Sequence, residues 1–337
     1  DRLGRAIGVQ GAAQALGLAL GPAVGGLLIS MGGWRLIFFV NVPMGLIGTA
    51  LAWFLIPRSR NLAARARFDW PGLALFLPAT IALLLAITYG DRAGWGSALI
   101  LGAFALAALL LAAFGLHERR AAAPMLDLRL FRRVPFSAGI ASGLLSYLVL
   151  FGLLTVVPFY LEIARHAPPA SAGLQLLVLP LGVGLIAPFA GRLADRIGAR
   201  PLTVGGMATT AVMLALSTLL HSQADVFLLM LAVAGLGLGA FTPPNNAAIM
   251  GAAPAHQTGM ASGVLNMTRG LGTSLGLALA GLAYTLGAGA GEATPAHASA
   301  GYRHAALLLA ALAAAAALIA ALRGKTELSH DPALTAE

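Results

Sequence analysis

Ten apolar runs of bilayer-spanning length punctuate this 337-residue chain, and they constrain its fold more than any other feature. They lie near 8–30, 34–56, 69–90, 95–116, 134–161, 171–190, 201–221, 226–248, 259–288 and 302–322. A helix of about 20 residues, rising 1.5 Å per residue, crosses the hydrocarbon core. A soluble chain would need a charged exterior to cover so many apolar helices, about 25% of its residues. Here charged residues make up 10% and hydrophobic ones 59%, with a mean hydropathy of +0.86. The pattern predicts an all-α polytopic membrane protein with short links between successive helices.

The net charge of +9 and pI of 11.1 would suggest a nucleic-acid partner in a soluble chain. In a membrane chain they report sidedness instead. Of the 21 Lys and Arg, only Arg35, Arg92, Arg165 and Arg303 fall on one side when the loops alternate, and Arg269 lies within a span. All the others fall on the opposite side, which the positive-inside rule makes cytoplasmic. Both ends of the chain are therefore expected in the cytoplasm. With no cysteine there is no disulfide, thiolate nucleophile or Cys metal site. The opening "DRLGRA" reads as a loop without a secretory signal pattern, so the chain is expected to begin inside a longer protein.

Internal repetition points to a carrier. Shifting the chain by 255 residues lays "GRAIGVQGAAQALGLALG" (4–21) over "GMASGVLNMTRGLGTSLG" (259–276), with four glycines in register. An aromatic–Arg pair follows each copy, Trp34-Arg35 and Tyr302-Arg303. Parallel repeats of a multi-helix half are a transporter signature.

Three stretches resemble one family. "LGLALGPAVGGLL" (16–28) is similar to the antiporter motif of drug:proton antiporters with fourteen spans in the major facilitator superfamily. "WRLIFFVNVPMG" (34–45) resembles the start of that family's sixth helix, and "GRLADRIGAR" (191–200) its cytoplasmic loop motif. The resemblance implies a major facilitator fold with ten of fourteen transmembrane helices present. Residues 1–60 would hold the last two helices of the N-terminal half and 61–118 an extra hairpin. Residues 119–323 would be the C-terminal six-helix half and 324–337 a tail. It implies proton-coupled export of small hydrophobic or cationic drug-like molecules across the bacterial inner membrane by a monomer, without cofactor. An importer or lipid and metabolite carrier of the same superfamily is the alternative, as is a non-transporting remnant or scaffold.

Enzyme motifs are scarce. "GKT" (324–326) lacks the first glycine of a phosphate loop, no Gly-x-Ser-x-Gly occurs, and the seven histidines lack metal-ligand spacing. In the opening stretch Gly17, Gly21 and Gly25, with Gly26, form a groove along one helix face, while Pro22 frees a carbonyl for a local bend. By resemblance this groove is a gate packed on span 171–190, with its Gly182 and Gly184. In the loop motif, Gly191 and Gly198 suit a tight turn, and Asp195 suits a helix N-terminus or pairing with Arg196 or Arg200; the resemblance makes this a latch. A solvated charged turn would look the same.

Arg269 sits about 15 Å into its span, where arginine costs about 3 kcal/mol unless it meets a partner or a wet cavity. Snorkelling would account for it if the helix began later. Asn266, Asn245, Asn246 and Asn41 are candidate cavity residues, although interhelical hydrogen bonding would explain them equally well. No acid falls mid-span; Glu162, at an outer end, is a candidate proton site that an interfacial carboxylate would also explain.

Overall fold

The computed structural model describes residues 35–55, 69–121, 124–254, 257–289 and 294–323, and positions 17, 24, 28 and 31–33 before them. Among the described residues nine spans of 21 to 31 residues are long and apolar enough to cross a membrane. The helices are α1 (Arg35–Leu55), α2 (Trp70–Ala93), α3 (Ala98–Glu118), α4 (Val134–Phe159), α5 (Pro169–Leu176), α6 (Val178–Ile197), α7 (Ala199–Leu220), α8 (Ala224–Ala252), α9 (Thr258–Ala288) and α10 (Pro295–Ala321). A single π-turn, Tyr160–Ala164, prolongs α4, and α5 with α6 makes one span. The expected first span, 8–30, falls mostly outside the described residues.

Local chemistry sets several boundaries. Asp69 caps α2 by accepting from the Gly72 amide, with proline in the first turn. Ser97 caps α3, and Thr294 followed by Pro295 starts the last helix seven residues before the expected 302. Among the described residues prolines stand inside five of the helices, among them Pro43 in α1 and the Pro243–Pro244 pair in α8. Such breaks are tolerated in membrane helices because neighbouring groups satisfy the freed carbonyls. The α2–α3 turn closes on Gly94, whose φ of +84° suits only glycine, and the Trp95 ring lies over Gly90.

Helices α4 to α10 pack as two triplets, with α5–α6 counted as one span: α4, α6, α7 and α8, α9, α10. The first helix of each triplet packs on the second and third of the other, α4 on α9 and α10, and α8 on α6 and α7. The third helices, α7 and α10, also pack together. This exchange relates the triplets by a pseudo-two-fold axis, the arrangement of a repeat nested within a carrier half.

Glycines make the two equivalent close approaches. A Cβ on Gly276 of α9 would stand 2.6 Å from the Leu148 carbonyl oxygen of α4, and one on Gly272 2.8 Å from that of Leu144. A Cβ on Gly182 of α6 would stand 2.7 Å from the Ala232 oxygen of α8. In lipid, where apolar side chains gain nothing by leaving the solvent, such backbone proximity supplies much of the association energy.

The α2–α3 hairpin pairs with itself and reaches the bundle through α2 on α9. Helix α1 buries nothing, leaving Phe39, Trp53 and Phe54 exposed, as a span facing lipid or other helices does.

Candidate functional site

The polar residues of the bundle fall into three groups rather than one cavity. The first lies at the arginine-rich end, where α4, α8 and α10 converge. Arg323, just beyond α10, is 3% exposed and donates to the Asn245 Oδ1 and, at 3.3 Å, to the Ser142 hydroxyl. The Asn245 amide donates to the Gly139 carbonyl at 3.2 Å. A Cβ on Gly139 would stand 2.5 Å from Ile249 Cγ1 and 2.7 Å from the Arg323 guanidinium. Burial holds the guanidinium down to about 10, still charged at neutral pH, and its Nε and Nη1 have no hydrogen-bond partner. Asn245 is thus 1% exposed and bonded on both sides of its amide, a strut between helices instead of the expected cavity residue.

The second group is centred on Arg269. Helix α9 begins at Thr258, so Arg269 stands about 16 Å along it, and a late helix start does not account for its position. Its guanidinium lies 5.5 Å from the centroid of the Tyr147 ring, a cation–π contact. Its Nε and the Tyr147 hydroxyl are buried with no hydrogen-bond partner. Asn266, one turn earlier, is exposed and folds back onto the Ser262 carbonyl at 3.1 Å. Asn246 is half-buried, and Asn41 lies on the exposed helix α1.

The third group closes the opposite end. Tyr160 donates to the His221 carbonyl at 2.7 Å, as Arg165 also does, and Ser217 shares a hydrogen bond of 2.7 Å with Tyr302. The Tyr160 and Tyr302 rings lie 4.8 Å apart, and the Arg165 guanidinium sits 5.3 Å from the Phe227 ring. Burial, with Arg303 and Arg165 nearby, lowers the His221 imidazole below its ordinary range. These contacts tie α4, α7, α8 and α10 into one rigid end.

The loop motif is mostly not a loop. Residues 191–197 are the final turns of α6; the turn contracts to Gly198, φ +86°, and Arg200 already belongs to α7. Gly191 is a buried packing position inside a helix, a correction to its expected place in the turn. Asp195 is exposed at a helix C-terminal end, not an N-terminus, and makes no ion pair with Arg196 or Arg200. Glu162 is exposed in the π-turn. Gly17 is helical and exposed; Gly21, Pro22, Gly25 and Gly26 lie outside the described residues. Gly182, one of their expected partners, packs against the backbone of α8.

Two buried charges went unread in the sequence. Arg323 looked like one more loop cation, and Glu118, which ends α3, is 4% exposed with neither carboxylate oxygen hydrogen-bonded. The spacing Ala107, Phe114, Glu118 on one helix face was the available signal for the second.

Two inverted triplets of membrane-spanning helices, with a half-buried arginine on one of them, make the repeat architecture found in carrier halves. The chain belongs to the Major Facilitator Superfamily, whose pattern matches residues 1–165 and, overlapping, 139–336. It is 35% identical over 280 residues to the multidrug resistance protein Stp of Mycobacterium tuberculosis, covering 82% of this chain and 52% of that one. The riboflavin transporter RibZ of Clostridioides difficile is 35% identical over 277 residues, covering 82% and 59%. The tetracenomycin C resistance and export protein of Streptomyces glaucescens is 34% identical over 283 residues, covering 83% and 53%. The chain spans little more than half the length of these relatives.

Proposed function

We propose that this chain serves proton-coupled export of small hydrophobic or cationic drug-like molecules across the bacterial inner membrane. Transport proceeds by alternating access, in a monomer whose arginine-rich end and two termini face the cytoplasm. The observation that carries the reading is the mid-span Arg269 on Tyr147, with donors left unsatisfied among the described residues, in a chain similar to resistance and export proteins. An arginine at that depth persists where it meets a substrate, a proton-carrying acid or a wet cavity. Residues 1–60 supply part of the other half, 61–118 an added hairpin, 119–323 the half described above, and 324–337 a tail. The glycine groove from Gly17 to Gly26 gates the path, and the Gly191–Arg200 segment latches the cytoplasmic end. Glu162, exposed at the rim of its span, is the candidate proton site within this chain.

The likeness to a riboflavin transporter favours a second reading, carriage of a metabolite. The two separate in cells that lack their own exporters and express the open reading frame carrying these 337 residues. Export predicts lower steady-state ethidium in energised cells and higher drug tolerance. Ethidium at vector level with riboflavin uptake raised would establish the second reading.

A further inference from the structure

We propose that the base of the α2–α3 hairpin, where it meets α9, is a binding site for a lipophilic organic cation, with the Glu118 carboxylate as its charge partner. Glu118 is buried, and both its oxygens lack a hydrogen-bond partner. The Met125 and Leu126 amides are the backbone donors that face it. Among the described residues the one ion pair joins His117 to Asp69 at 2.9 Å, so no described guanidinium pairs with Glu118. The neighbouring Asp69 is like-charged, and its own Oδ2 is also unpartnered. A carboxylate removed from water without a partner is unstable as an anion and is relieved by a proton or by a bound positive charge.

What adjoins Glu118 selects the kind of cation. One turn back along α3, Phe114 lies 5.1 Å from Phe76 of α2, and the two rings wall a crevice of about 320 Å³. Met125, Met260 and Met267 complete it. The wall that α9 contributes includes Gly259 and Gly263, where a Cβ would meet nothing within 4 Å. Methionine sulfurs and aromatic faces attract a delocalised cation, and the volume lies within the range of small-molecule pockets. Met260 also borders the wider vestibule that Glu118 lines, which joins the apolar crevice to the carboxylate. Arg119, Arg129 and Arg132 stand exposed around that vestibule and are screened by water. They favour an anion there, which makes charge sign the deciding observable.

As a station for exported substrate the site rests on the export reading; as a binding site it stands without it. The test is equilibrium binding of tetraphenylphosphonium and of its isosteric anion tetraphenylborate to the purified 337-residue chain in uncharged detergent. The Gly263→Trp variant, with its crevice filled, corrects for partitioning into micelles. The cation is expected to bind at least about tenfold more tightly than the anion. Glu118→Gln, which keeps the shape and removes the charge, should erase that preference without lowering the melting temperature. Equal affinities for the two ions, a preference for the borate, or an unchanged preference in Glu118→Gln would overturn the proposal. Export of ethidium without charge-selective binding here would refute this site and leave the export reading intact. Binding here without export would do the reverse.

Discussion

Replacing Gly276 with alanine tests whether backbone proximity holds the six-helix half together. The added Cβ would stand 2.6 Å from the Leu148 carbonyl oxygen and 3.1 Å from the Gly152 amide nitrogen. Ordinary contact is roughly 3.4–4 Å, so α9 must withdraw from α4 by most of an ångström or the helices must distort, an overpacking cost of about 1–3 kcal/mol. Alanine also gains up to about 1 kcal/mol of helix propensity over glycine, which a control must remove. Gly281 provides it, since it lies on the same helix and nothing stands within 4 Å of its Cβ position. In detergent, Gly281→Ala should melt at or above the parent, and Gly276→Ala several degrees below Gly281→Ala. If both variants melt together, the glycine contacts are incidental and the packing argument fails.

Three further outcomes follow from the polar groups. Asn245→Leu should destabilise by about 2–3 kcal/mol, because it leaves the Arg323 guanidinium buried with only Ser142, and Arg323→Met in that background should restore most of the loss, read as a double-mutant cycle in thermal melts. Tyr302→Phe should cost about 1 kcal/mol through the bond to Ser217, whereas Ser217→Ala in the Tyr302→Phe background should cost little more. Burial alone would raise the Asp69 carboxyl, but the Gly72 amide and His117 outweigh it and hold the group below its ordinary range. Its stabilisation is therefore fully present above that range and fades as pH falls through the lowered value. Asp69→Ala should cost about 1 kcal/mol at neutral pH, with the gap to the parent closing in melts below about pH 4.

The helices were legible because lipid imposes a length and a polarity that composition cannot disguise. Helix ends were less so. The last span begins at Pro295, where "PAHASAGYRHAA" carries His297, Arg303 and His304 and resembles a loop until Thr294 is recognised as its cap. The loop 191–200 was misplaced for a related reason: Arg192, Asp195 and Arg196 marked the end of the apolar run, yet a helix can continue past the bilayer surface. Asn245, Ser142 and Arg323 are up to 181 residues apart, and no local pattern announces such a meeting. The repeated glycines were legible as a repeat but not as a seam. Gly272 and Gly276 pack within one half, and by the shift of 255 residues Gly17 and Gly21 are their counterparts.

Proton-coupled export is most directly tested in everted membrane vesicles from cells expressing the open reading frame that contains this chain. An acid-inside pH gradient is imposed and ethidium uptake into the vesicles is followed by fluorescence. The account predicts uptake that collapses when nigericin dissipates the gradient and that falls, per molecule of protein in the membrane, in Arg269→Ala. Uptake indifferent to the gradient, or an Arg269→Ala variant transporting at the parent's rate per molecule, would contradict it.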